Sequence, residues 1–365
     1  MPARKEINLK NGTIKLPAYL PDATFGQVRS LDSEDTASCG IQAVMMNTFH
    51  LMQKPGSSNI RSMGGLNRMT GWKQPIFTDS GGFQAYSLIR QNAKFGSLTD
   101  KGILFRPENS SKKILLTPEK CVQLQMSFGS DVIFCLDDCT HIDDHPDEQL
   151  LSVERTIRWS TACRQEFDKL VAEKKLGTAQ TPKIFAVVQG GNDKSLRKRC
   201  AEELLAVGFD GYGYGGWPLD EDNQLVTDML QLLRDLIPFD FPLHALGIGY
   251  PPSIARCAAM GYDFFDSAMP TRDARHGRLY TFSKNLRGRQ LSQSKSWFKY
   301  IYINDEKHIR SSQPIEEKCA CPVCTRYSIG YLRHLFKLND SLFQRLATMH
   351  NLHFMSRLMS KLGAD

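Results

Sequence analysis

The stretch YDFFDSAMPTRDARHG, residues 262 to 277, ends a short apolar run on a carboxylate, Asp266, and follows it with Arg272, Arg275 and His276, with Arg278 just beyond. A strand end, a turn and a solvated basic loop would account for it. So would a nucleophile beside a polyanion track, with cations placed to attract phosphate. A second cluster, KCACPVC, sets Cys319, Cys321 and Cys324 in a C-x-C-x-x-C pattern. Three thiolates suit a tetrahedral zinc ion and leave one position for a fourth ligand. His334, His350 and His353 lie downstream as candidates. Four filled positions would make the metal structural, with no site for an activating water.

Such residues need elements to position them. Eight strand-like runs recur at residues 16–24, 41–48, 75–82, 131–138, 183–191, 209–216, 243–249 and 262–268. They are apolar on both faces, as parallel strands covered by helices are. Helical patterns lie between most of them. Thr117 is the expected N-cap of one, residues 147–175 form a long amphipathic one, and Gly208 is the expected C-cap of another. Strand-then-helix units in this number predict a (β/α)8 barrel, whose active residues sit at the C-terminal strand ends. Asn47, Asp79, Asp137, Gln189, Gly215, Gly216, Gly247 and Asp266 stand there. Each could be a strand-end cap; together on one face they read as a site.

Two segments break the pattern. Residues 85–115 read as an insertion folded over the rim, with a hairpin as its expected form, in the manner of long functional loops. Residues 278–335 are basic, aromatic and cysteine-bearing, and the amphipathic run 340–363 could close the barrel. The expected organisation is a barrel over 1–277, a basic zinc-binding subdomain over 278–338, and a C-terminal helix over 339–365.

A chain of 365 residues can bury such a core, and its net charge of +7 hints at an acidic partner. The N-terminus lacks the apolar segment of a signal peptide, and no run is long enough for a membrane span. The expected compartment is the cytosol. There Cys39, Cys121, Cys135, Cys139, Cys163, Cys200 and Cys257 read as buried thiols and not disulfides. Between residues 271 and 335 there are 13 Lys and Arg against 5 Asp and Glu. Phe282, Trp297, Phe298, Tyr300 and Tyr302 are interleaved with them, so phosphate attraction and base stacking are expected together.

The motifs TDSGGFQ (78–84), VVQGG (187–191), FDSAMPTRDARHG (265–277) and CACPVC…HNL, with NTFHL (47–51) and LTPEKCVQLQ (116–125), resemble those of tRNA-guanine transglycosylases. The resemblance runs from about residue 12 to the C-terminus. It implies a zinc-bearing (β/α)8 barrel that exchanges guanine at the anticodon wobble position for a 7-deazaguanine. By that resemblance Asp266 is the nucleophile that forms a covalent ribosyl intermediate, and Asp79 is the general acid and base. Asp137 would take the N1–H and 2-amino donors of guanine, while Gln189 and the Gly216 backbone would donate to O6. Phe83 and Leu246 would sandwich the base. Arg272 and Arg275 would grip the anticodon loop. His350 becomes the preferred fourth ligand of one structural Zn2+. A homodimer is implied as well.

The stretch GGWPLDE (215–221) departs from the family's usual Leu-Ala-Val-Gly between the paired glycines and the glutamate. The family loop can turn a peptide to offer either C=O or N–H to the 7-substituent. Pro218 has no N–H, so the peptide before it offers only a carbonyl. That biases the site toward an aminomethyl or substituted aminomethyl group, with Trp217 walling or stacking on a bulky one. The alternatives are a related enzyme acting on DNA and a noncatalytic tRNA-binding partner. The presence of both Asp79 and Asp266 argues against the latter.

Overall fold

The computed structural model describes residues 4–106, 113–141, 144–222, 224–294 and 296–364. Each expected apolar run contains one strand of a single parallel sheet: β1 (Ala18–Pro21), β2 (Val44–Asn47), β3 (Ile76–Asp79), β4 (Val132–Phe134), β5 (Lys183–Val188), β6 (Gly211–Tyr214), β7 (Leu243–Ala245) and β8 (Phe264–Ser267). The strands follow one another around the sheet in chain order, and β8 returns to pair with β1. A parallel bridge between Asp22 and Met45, with the Ala23 N–H donating to the Met45 carbonyl at 2.7 Å, joins β1 to β2 and closes the barrel. Helices connect the strands, so both faces of the sheet are buried, which is why the runs lack polar alternation.

Two apolar layers result. Inside the barrel Phe77, Phe134, Phe185 and Phe264 pack with Val132, Val187 and Met45. Ring centroids there lie 5.0 to 6.4 Å apart. Each buried phenylalanine contributes about 1.5–3 kcal/mol. Outside, the strands pack against the helices. An antiparallel hairpin, Glu6–Leu9 with Gly12–Lys15, adds Ile7 and Ile14 to the interior layer. Nothing in the sequence pattern singled it out.

The helix starts behave as their sequences dictate. The Thr117 hydroxyl accepts from the Lys120 N–H at 3.2 Å, and Gly208 ends its helix at φ +87°. The expected helix over 147–175 is the helix Pro146–Glu173, which ends two residues earlier, with Lys174 as its C-cap and Lys175 at positive φ. The segment after β3 differs from expectation. Its first part is a helix, Gly82–Gln91, and only then come three antiparallel strands, Gly96–Thr99, Gly102–Phe105 and Ile114–Leu116. Ile103, Phe105 and Leu116 are buried, with Phe105 against Phe49 at 4.8 Å, so this sheet has its own apolar face. Residues 107–112 of the expected insertion lie outside the described residues.

The helix Ser341–Leu362 is the anchor of the C-terminal region. Asn351 on it accepts from the Tyr280 N–H and donates to the carbonyls of Pro270 and Arg278, all at 3.0 Å. It thereby fastens the hairpin Arg278–Phe282 with Phe298–Tyr302 to the helix that follows β8. Among the described residues no helix is long and apolar enough to cross a membrane.

Candidate active site at the C-terminal rim

β8 carries Asp266 to the rim, where its side chain is 19% exposed. Its Oδ1 accepts the Gly247 N–H at 3.0 Å and lies 2.8 Å from His244 Nε2. Among the described residues Oδ2 has no hydrogen-bond partner. β3 ends on Asp79, whose Oδ1 accepts from the backbone of Thr48 at 3.1 Å and Gly81 at 3.0 Å. Its Oδ2 accepts from Asn47 Nδ2 at 2.7 Å, and Asn47 is its register partner on β2. Burial pushes the Asp79 carboxyl up to about 7; the charge of Asp266 pushes the same way, and the hydrogen bonds oppose both. A carboxyl so placed can give and take a proton near neutral pH.

Asp137 lies just past β4 and is buried. It accepts from the Ser80 hydroxyl at 3.3 Å and from Gln189 Nε2 at 2.7 Å. Burial raises it to about 6. Gln189, also buried, keeps a second amide hydrogen, and its Oε1 has no partner among the described residues. Asp138 turns away and pairs with Arg155. At Gly215 a Cβ would come within 2.6 Å of Gln189 Nε2, and Gly216 sits at φ +90°, so both positions demand glycine, one for space and one for conformation. Arg197, fully buried over the Tyr214 ring, donates to the carbonyls of Val188, Gly191 and Gly215 at 2.9, 2.7 and 3.3 Å. It fixes the ends of β5 and β6 relative to each other.

Phe83 begins the helix after β3 and Leu246 follows β7, strands on opposite sides of an eight-stranded barrel. Phe83 is 42% exposed and Trp217 is 44% exposed. Their rings lie 5.9 Å apart, and the His141 ring lies 5.5 Å from that of Trp217. The loop beyond Trp217 is pinned by a bridge between Leu219 and Leu225, by Asp220 accepting from the N–H groups of Asp222 and Gln224, and by Val226 donating to the Pro218 carbonyl. No described residue donates to the Trp217 carbonyl.

Arg272 and Arg275 share the short helix Met269–Arg275 directly after β8. Arg272 is exposed. Arg275 is half-buried and lowered from its ordinary value by burial, then by Arg29, while Asp22 opposes. The aromatic residues of 278–335 behave otherwise than expected. Trp297 is buried, and Phe282 stacks between it and Phe354 of the last helix at 5.8 and 4.2 Å. Phe298 and Tyr300 pack on Tyr280 at 5.1 and 5.6 Å. Tyr302 alone of the five is exposed. Phe298, Tyr300 and Tyr302 share one face of their strand. Phe298 and Phe282, its register partner, pack against Phe354 of the last helix, while Tyr302, at the strand's end, is exposed.

Cys319, Cys321, Cys324 and His350 converge, their ligand atoms all within 4.8 Å of one another, in a group able to hold a metal ion. His350 Nδ1 lies 3.6 Å from Cys321 Sγ and 3.4 Å from Cys324 Sγ. Its Nε2 lies 2.8 Å from the Tyr280 carbonyl, which can only accept; the proton is therefore on Nε2 and Nδ1 is free to ligate. His334 belongs to a separate helix, Ile329–Lys337.

The family profile described as Queuine tRNA-ribosyltransferase matches residues 3–364. The chain belongs to the queuine tRNA-ribosyltransferase family. A relative of that name from Shouchella clausii is 35% identical over 97% of this chain and 86% of its own length. One from Shewanella halifaxensis is 35% identical over 98% and 88%, and one from Novosphingobium aromaticivorans is 33% identical over 98% and 89%. The resemblance read from the motifs is thus a family relationship spanning almost the whole chain.

Reading motifs toward the queuine tRNA-ribosyltransferase family missed three partners that the barrel supplies. Asn47 grips Asp79, Ser80 grips Asp137, and His244 reaches Asp266. His244 left a trace, as a polar residue inside the apolar run LHALGIG. Asn47 stands in the rim set and in NTFHL, and Ser80 in TDSGGFQ, but nothing in the sequence pairs either with its carboxylate.

Proposed function

We propose that this protein exchanges guanine at the anticodon wobble position of tRNA for a free 7-deazaguanine through a ribosyl ester of Asp266. The observation that carries this reading is the unequal pair of rim carboxylates. Asp266 has one oxygen held and one free, and Asp79 is poised near pH 7. Oδ2 of Asp266 attacks C1′ of the ribose as the C1′–N9 bond breaks. Asp79 gives the departing guanine its proton. Asp79 then takes a proton from the incoming base, whose nitrogen attacks C1′ and frees Asp266. Two displacements retain configuration, by the logic of retaining glycosidases.

In this reading Asp137 accepts from N1–H and the 2-amino group, and the remaining Gln189 N–H and the Gly216 N–H donate to O6. Phe83 and Leu246 close on the two faces of the base. The Trp217 carbonyl, with Pro218 unable to donate, faces the 7-substituent, and Trp217 walls the pocket. An aminomethyl or substituted aminomethyl base, the latter including queuine, fits that carbonyl. Arg272 and Arg275 hold the anticodon loop. A target base must leave its stack to reach the pocket, so an RNA loop suits it better than a duplex.

The four-ligand group suits one structural Zn2+. Zn–S of about 2.3 Å and Zn–N of about 2.1 Å give a tetrahedral S···N edge of about 3.6 Å, close to the separations described above. Bound there, the ion would tie the 278–338 module to the 339–365 helix and supply no chemistry to the exchange. The family also implies a homodimer, and the exposed apolar residues Ile309, Tyr331 and Leu338 lie in the zinc region that would contribute to its interface.

The test uses a tRNA anticodon stem-loop carrying radiolabelled guanine, chased with 7-deazaguanines. Label is released by the wild type and not by Asp266→Asn; release by that variant at the wild-type rate would defeat the reading. Release from a DNA hairpin and not from RNA would favour the DNA-acting alternative.

A further inference from the structure

The interior of the barrel is lined by phenylalanine and aliphatic side chains, with one exception that reaches the nucleophile. His244 on β7 is fully buried, and Phe77, Phe134 and Phe264 surround its ring at 6.3, 5.5 and 5.9 Å. Its Nδ1 has no partner among the described residues. A polar ring in such a layer is destabilising unless hydrogen-bonded, and packing alone would be served by another phenylalanine. Its single hydrogen bond goes from Nε2 to Oδ1 of Asp266, at 2.8 Å. The register explains the reach: His244 pairs with Phe264, and Asp266, two residues along β8, points to the same face as Phe264.

We infer that His244 is the positioning residue of Asp266, selecting Oδ2 as the attacking oxygen and assisting the departure of the carboxylate in the second half of the exchange. The inference rests on the proposed role of Asp266. Facing a carboxylate oxygen, Nε2 must carry the proton. With the Gly247 N–H it holds Oδ1, which fixes the carboxylate rotamer and leaves Oδ2 toward the ribose. After attack, the ester's bonded oxygen is Oδ2 and its carbonyl oxygen is Oδ1. When the incoming base attacks C1′, the C1′–Oδ2 bond breaks and its electron pair returns to the carboxylate, spreading onto Oδ1. The two donors are already aimed at that developing charge. In the first half-reaction the same donors face a charge that is being lost, so their removal slows formation of the ester less than its breakdown.

The test compares wild type, His244→Asn, His244→Phe and His244→Gln on the labelled stem-loop, following exchange rate, the covalent RNA adduct on denaturing gels, and thermal melting. Gln places its Nε2 as many bonds from Cβ as the histidine Nε2, whereas Asn falls short and Phe donates nothing. The expected result is exchange slowed about 10- to 100-fold in the Asn and Phe variants, the range of a lost hydrogen bond to a charged group. The adduct fraction rises above wild type, and Gln restores most of the rate. Exchange within about twofold of wild type in a folded Asn or Phe variant would overturn the inference. So would a Gln variant as slow as Asn, or slow variants with no excess adduct. If the wild type itself forms no adduct and exchanges no guanine, the proposed reaction fails and the inference falls with it.

Discussion

Asp79→Asn separates the electrostatics of the site from its chemistry. The carboxyl is raised from 3.8 to about 7, chiefly by burial. A raised acid contributes its full stability below its unfolded value and loses it as pH climbs through the folded one. The window here is therefore pH 3.8 to 7. At about 1.36 kcal/mol per unit, the unfolded chain gains roughly 1.7 kcal/mol by pH 5 and roughly 4.3 kcal/mol by pH 8 from ionising this group. Asparagine does not titrate. It keeps an oxygen for the Thr48 and Gly81 N–H groups but turns an amide toward Asn47 Nδ2, a mismatch of about 1–2 kcal/mol that is independent of pH. The stability of the variant relative to wild type should thus rise by about 2.5 kcal/mol between pH 5 and pH 8, an upper figure because the carboxyl keeps some contact with water. Thermal melting of both proteins across that range reads it as a gap of several degrees that opens in favour of the variant, while guanine exchange is lost. A gap that does not change with pH would refute the assignment of a buried, raised carboxyl at Asp79.

Three further outcomes follow from the same geometry. Removing the metal with a chelator, or Cys321→Ser, should lower the melting temperature and expose the 278–338 module to protease, and metal analysis of the untreated protein should find one zinc per chain. A 7-aminomethyl-7-deazaguanine should bind at least about tenfold more tightly than the 7-cyano form, because a charge-assisted hydrogen bond to the Trp217 carbonyl is available to one only; equal affinities in titration would sink the carbonyl argument. Arg272→Ala should weaken stem-loop binding and reduce the slope of log affinity against log salt by about one, with the melting temperature unchanged, since the side chain is exposed.

Much of the architecture could be read directly. Runs such as PIFTDSGG and KIFAVVQGG are apolar on both faces, and chain order with intervening helices leaves few topologies besides a barrel. The rim residues followed, since strand ends in a barrel face one way. The cysteine spacing marked three members of the four-residue group able to hold a metal ion, because they are local in sequence. The aromatic residues of 278–335 misled, because composition alone did not show that the segment folds as a hairpin on the last helix, where four of the five pack on one another, on Tyr280 and on Phe354.

By itself the sequence determined the strands, their order, the family motifs and the types of group available for chemistry, since all of these depend on local pattern and connectivity. Only the tertiary structure decided the protonation and orientation of those groups. Asp79 is poised near 7 because the barrel mouth strips it of water beside a second carboxylate. Asp266 leaves one oxygen without a hydrogen-bond partner among the described residues because a histidine from the neighbouring strand and the Gly247 N–H hold the other. Both effects come from residues far apart in the chain that packing brings together, and burial and hydrogen-bond geometry exist only in the packed fold.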